Sequence, residues 1–296
     1  RHLLAPGPPL VHMPIPSQPL HPRSPELEEQ AYDWAARHGL VDAAGRRRLA
    51  ASRVVTLATS YYHTAPYPEM ALLARWYVWL LAADDWFDRA AGSTEGPGTW
   101  SVFQRALVRE LWPPTAEPMS AAWRRRFARH LRDCLAGYHW QAGVRLGLRP
   151  PPTLAQYVAW RRLSFGAHPI FELIQFVERR EFAAALLTAA PARELTAAAS
   201  DVMAWTNDVR SLRRDLAAGE HANLVLLVRD RLGHDEARAT AAVQRMVAAR
   251  IDHLLAARRT LRRLGPDARL LGDRVTTAVR GAWDWHHDSA RYAALA

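Results

Sequence analysis

The chain has 296 residues, 49% hydrophobic and 23% charged, which is too apolar for a disordered or fibrous protein and enough to bury a sizeable core. Its 39 basic and 29 acidic residues leave a formal net charge of +10, yet every basic residue is Arg. That compositional bias weakens the charge as a sign of nucleic acid and leaves it as a prior for an anionic ligand.

Eight of the 20 prolines fall in the first 25 residues, a density that opposes regular helix and predicts an extended arm over residues 1–24. The first residues lack the charged start and apolar run of a secretory signal, and no stretch reaches the roughly 18 apolar residues of a membrane span. A cytoplasmic chain with no membrane span is expected. From Pro25 onward Ala, Leu, Arg and Glu dominate and no run alternates with period two, which predicts a single all-α domain over residues 25–296. Turn signals at Ala91–Gly98, Pro113–Pro118, Arg149–Pro152, Ala218–Asn223 and Gly265–Pro266 divide it into about ten helices. Long ones are expected near Met119–Gly143, Ala192–Leu216, His234–Leu264 and Leu270–Leu295.

Residues Met70–Ala83 carry one charge, Arg75, so this helix should run through the core. It delivers the sequence DDWFD. Asp84 and Asp88 are four apart and share a face, with Asp85 about 100° round from Asp84. Three carboxylates at a helix C-terminus oppose the macrodipole and emerge here from a buried run, so they need a compensating cation. Oxygen ligands without nearby Cys, or His at ligand spacing, favour Mg²⁺ over zinc. Cys134, the single Cys, also excludes an intrachain disulfide framework and fits a reducing compartment.

Further along, Tyr157–Pro169 reads as a helix interrupted by Gly166 and Pro169, which would free backbone carbonyls near Arg161 and Arg162. In Trp205–Asp215, Asn207, Ser211 and Asp215 stand at i, i+4 and i+8 and line one stripe that again ends at a helix C-terminus. Two neutral oxygens and one anion suit a magnesium completed by water and phosphate. Near the end, His286 and His287 are adjacent, point about 100° apart and cannot chelate one ion.

The run Asn207 to Asp215 (NDVRSLRRD) resembles the second metal motif of class I terpene synthases of bacterial type, with Asp215 where Glu is commoner. DDWFD, about 120 residues upstream, is similar to their first, aspartate-rich motif. The resemblance runs from about residue 25 to 296 and implies an all-α bundle around a central active-site cavity. On it, Asp84, Asp85, Asp88, Asn207, Ser211 and Asp215 would ligate three Mg²⁺ ions. The helix Tyr157–Pro169 looks like the family's diphosphate-sensing helix, which assigns Arg162 as sensor, Phe165 as linker and Gly166 as effector. The Arg-Tyr pair near the C-terminus makes Arg291 and Tyr292 diphosphate ligands, joined by Arg214, and guanidinium forks suit that task. Ala282 departs from the family, which often carries Asn there.

Leu80, Leu81 and Met203, one turn before each motif, should line the cavity, and the resemblance adds Tyr61, Phe171 and Trp285. It implies ionisation and cyclisation of a linear isoprenyl diphosphate with release of diphosphate. Farnesyl diphosphate is the first expectation, with geranylgeranyl and geranyl diphosphate as alternatives. A chain-elongating prenyltransferase would need a second aspartate-rich motif and usually lysines, and neither is present. A basic helical nucleic-acid-binding protein, suggested by Arg46–Arg48 and Arg124–Arg126, would have no use for two oxygen-rich stripes, so no nucleic acid is expected. A homodimer is left open.

Overall fold

The computed structural model describes residues 11–90 and 100–292, so the turn expected over Ala91–Gly98 lies outside the described residues. The arm from residue 11 to 23 has no regular secondary structure and lies across the helices, burying Met13 and Ile15. Arg280 donates to the carbonyls of Ile15 at 2.6 Å and Met13 at 3.4 Å, and the Ser17 hydroxyl donates to Asp284 at 2.9 Å.

Every regular element among the described residues is helical. The first four are α1 (Ser24–Arg37), α2 (Ala43–Ser52), α3 (Val55–Tyr61) and α4 (Tyr67–Ala90). Then α5 (Trp100–Ala106) passes through a π-helical turn at Leu107–Leu111 into α6 (Trp112–Ala116). The prolines expected to open a turn at Pro113 instead sit in the first turn of α6, where a missing N–H costs nothing. Ser120 caps α7 (Ala121–Arg145), and a capping box of Thr153 and Gln156 starts α8 (Leu154–Ser164). Pro169 likewise lies in the first turn of α9 (Ala167–Val177), so the interruption is made at Phe165 and Gly166 alone. Gly166 there adopts φ +78°, a left-handed conformation that favours Gly. After α10 (Ala184–Thr188) come α11 (Ala190–Ala217), α12 (Leu224–Leu232), α13 (Glu236–Leu261) and α14 (Pro266–Asp288). Helix α14 stops short of the expected Leu295 because Ser289 is extended, its hydroxyl donating to the Ser52 carbonyl at 2.7 Å. Arg291 and Tyr292 therefore sit on a turn past the helix.

Helix α4 is the core element. Met70, Leu73, Trp76, Val78 and Trp79 are all fully buried around its circumference, each contributing about 1.5–3 kcal/mol of apolar burial. The indole N–H groups are satisfied, Trp76 by Thr115 at 2.9 Å and Trp79 by the Phe103 carbonyl at 3.1 Å. Around it α11 packs on α13 and α14, α14 on α3, and α7 on α8 and α9. The α3–α14 contact needs Gly281: a Cβ there would meet Ser60 Oγ at 2.4 Å and the Tyr61 ring at 2.6 Å. No helix among the described residues is long and apolar enough to cross a membrane.

Candidate active site

Helices α2, α3, α4, α7, α8, α9, α11 and α14 line a cavity of about 670 Å³. Leu57, Tyr61, Tyr77, Leu80, Leu81, Ile170, Met203 and Trp285 form its apolar wall, while Asp84, Asp85, Asp88, Asn207, Arg214, Asp215, Arg291 and Tyr292 supply polar groups to the same lining. Phe171 is not on the wall. It is buried with its ring 6.2 Å from that of His168, and Ile170, one position earlier on α9, lines the cavity in its place.

The three aspartates of α4 each bring one oxygen within 4.8 Å of the others. Burial first, then repulsion from Asp88 and Asp85, pushes Asp84 up to about 7. Burial acts on Asp85 in the same sense, but Arg291, donating at 2.6 Å, outweighs it and holds this carboxyl below its usual value. Asp88 accepts from Arg145 at 2.8 Å. The cluster contains only carboxylates, and one of them is driven toward its neutral form by burial and by its neighbours. Such a donor set fits a hard divalent cation, which would relieve the repulsion.

Along α11, the Ser211 hydroxyl donates to Asp215 at 2.6 Å, and Asn207 donates to Tyr292 Oη at 2.9 Å. Ser211 is fully buried behind the lining, whereas Asn207 and Asp215 reach it. His286, given no role as a ligand, lines the cavity with Nε2 3.2 Å from the Asn207 amide. Burial lowers it to about 3, so the ring is neutral and accepts from that amide.

The structure corrects the placement of one arginine. Arg162 does not face the cavity: its guanidinium makes two 2.7 Å bonds to the buried Asp201. Arg161 is the α8 arginine on the lining, 8% exposed. It donates to Asn207 Oδ1 at 2.7 Å and to Asp208 Oδ1 at 2.8 Å. Asp208, next to Asn207 but turned inward and 1% exposed, also accepts from the Tyr157 hydroxyl and from the Leu224 N–H. Sequence reasoning missed Arg161, Tyr157 and Asp208. The Asn-Asp pair carried a signal for the last, since a residue beside a cavity-facing one on a helix points about 100° away.

Also unforeseen on the lining are Tyr138, Gln141, Arg145 and Glu220, together with Arg48 and Arg89. Counting them, the lining carries six arginines and five acidic residues, so the side chains leave it nearly neutral.

The family model described as terpene synthase family 2, C-terminal metal binding, matches residues 75–253. Pentalenene synthase of Streptomyces exfoliatus is 30% identical over 96% of this chain and 92% of its own. A (−)-β-caryophyllene synthase of Saccharothrix espanaensis, described as (2E,6E)-farnesyl diphosphate cyclizing, is 26% identical over 96% of this chain and 88% of its own. Among solved structures, hedycaryol synthase superposes with a TM-score of 0.78 at 21% identity, over 95% of this chain and 99% of that one, and this likeness bears on the fold.

Proposed function

Since the chain belongs to the terpene synthase family, we propose that it ionises a linear isoprenyl diphosphate with the help of Mg²⁺, releases diphosphate and cyclises the hydrocarbon. Farnesyl diphosphate is the proposed substrate, supported by the relative described as cyclising it. The observation that carries the reading is the meeting of two oxygen clusters, from α4 and α11, on one apolar cavity. Because the lining is nearly neutral, a multiply charged diphosphate needs further cations to enter it, which the two clusters are suited to hold.

Asp84, Asp85 and Asp88 on one side and Asn207, Ser211 and Asp215 on the other would hold three Mg²⁺ ions. When bound, these supply Lewis-acid stabilisation of the departing diphosphate. Arg161, Arg214 and Arg291 fork onto its oxygens, and the Tyr292 hydroxyl donates to it. Arg161 takes the sensing role first expected of Arg162, next to the break at Phe165 and Gly166, which serve as linker and effector. The wall excludes water from the carbocation. The faces of Tyr61, Phe165 and Trp285 stabilise it by up to about 2 kcal/mol each. Residues 25–296 form the catalytic domain, with residues 11–23 of the proline-rich segment laid against it.

Incubation with geranyl, farnesyl and geranylgeranyl diphosphates in the presence of Mg²⁺, with products identified by mass spectrometry, tests the reading. Release of diphosphate and a cyclic hydrocarbon from farnesyl diphosphate is expected. No release from any of the three by folded protein overturns it, and a preference for another chain length overturns the substrate assignment.

A further inference from the structure

Arg145, the last residue of α7, ties the two metal-motif helices together. Its Nη1 donates to Asp88 Oδ1 at 2.8 Å and to Glu220 Oε2 at 3.1 Å. Its Nη2 donates to the carbonyls of Phe87 at 3.2 Å and Asp88 at 3.0 Å. Those carbonyls belong to the last described turn of α4, where a cation opposes the negative end of the helix. One guanidinium thus fixes both the side chain and the main chain of the third aspartate.

Glu220 carries the tie to the second cluster. Its other oxygen, Oε1, accepts from the N–H groups of His221 at 2.8 Å and Ala222 at 2.7 Å, and its own N–H donates to the Asp215 carbonyl at 2.8 Å. The Glu220 side chain is 6% exposed and that of Arg145 12%. Both are largely buried, and Arg145 is the cation that pairs with Glu220 and with Asp88. The chain therefore runs without a break from Asp88 through Arg145 and Glu220 to the backbone of Asp215.

We propose that Arg145 and Glu220 are positioning residues that fix the end of α4 against the end of α11, so that the two oxygen clusters stand ready to share ions around one diphosphate. This rests on the functional reading above. Arg145 could act in the opposite sense, as a cation competing with the metal for Asp88, and the two roles predict opposite signs.

The test is calorimetric titration of inorganic diphosphate into the protein in excess MgCl₂, for the unaltered chain, Arg145→Met, Arg145→Lys and Glu220→Gln. The unaltered chain binds diphosphate only with Mg²⁺ present. Arg145→Met binds about tenfold more weakly or worse, the cost usual for losing a group that orients metal ligands. Arg145→Lys, which keeps the charge without the fork, recovers part of that loss. Binding unchanged or tighter in a folded Arg145→Met variant overturns the proposal. Should that variant fail to fold, the isosteric Glu220→Gln decides: weakened binding with an intact helical circular dichroism spectrum supports the tie, and unchanged binding overturns it. If the unaltered chain itself binds no diphosphate with Mg²⁺, the functional reading fails first, an outcome distinct from equal binding by chain and variants.

Discussion

Arg161 and Arg162 share a dipeptide and have opposite surroundings, because neighbours on a helix point about 100° apart. Arg161 faces the cavity, and Arg162 is consumed by Asp201. Arg161→Lys keeps the charge opposite Asp208 but loses the fork, and turnover is expected to fall about 100-fold. Arg162→Gln should keep turnover within a few-fold and lower the melting temperature. Steady-state diphosphate release and thermal melts on both variants check this, and the reverse pattern would restore Arg162 to the site. Asp84 poses a different trade. Its carboxyl is raised to about 7, first by burial and then by Asp88 and Asp85. A carboxyl raised in the folded state above its unfolded value contributes stability at low pH that is lost as pH rises through about 7. Asp84→Asn should therefore abolish turnover and, without metal, raise the melting temperature at about pH 8, with the gain shrinking toward about pH 4. A melting temperature unchanged at the higher pH would contradict it.

At the scale of elements, α4 was the most legible. A run with one charge among Met70–Ala83 can be stable only when surrounded, and it is. Boundaries were less so. Pro113 and Pro169 look like breakers in the sequence but open helices, since a proline stops only the turn that precedes it. The end of α14 depends on a bond from Ser289 to Ser52, on a distant segment. Where α14 meets α3, Gly281 leaves room for Ser60 and Tyr61. Gly281→Ala gains helix propensity but forces the two helices apart, and overpacking of this kind costs about 1–3 kcal/mol. A lower melting temperature and a changed product ratio are expected, because Tyr61 lines the cavity. Thermal melts and product profiles decide, and a more stable variant with the same products would refute the contact.

For the whole molecule, the cavity lining joins groups far apart in the chain: Arg291 meets Asp85 across 206 residues. A ligand bound there should couple α4, α8, α11 and the turn after α14. Inorganic diphosphate with Mg²⁺, at about 100 times its dissociation constant, would stabilise the fold by about 2.7 kcal/mol and raise the melting temperature by roughly 4 °C. Scanning fluorimetry should find the full shift only with both components; an equal shift from Mg²⁺ alone would mean that diphosphate adds nothing to the metal-bound fold. The sequence by itself determined the all-helical class, the buried helix that ends in three aspartates, and the oxygen stripe on a second helix. All of these follow from composition and from periodicities within a few turns. Only the tertiary structure decided that Arg161 faces the cavity rather than Arg162, that Ile170 lines it rather than Phe171, and that Arg145 and Glu220 tie the two clusters together. Which way a helix is rotated, and which charges meet across it, is set by packing against segments that no local pattern records.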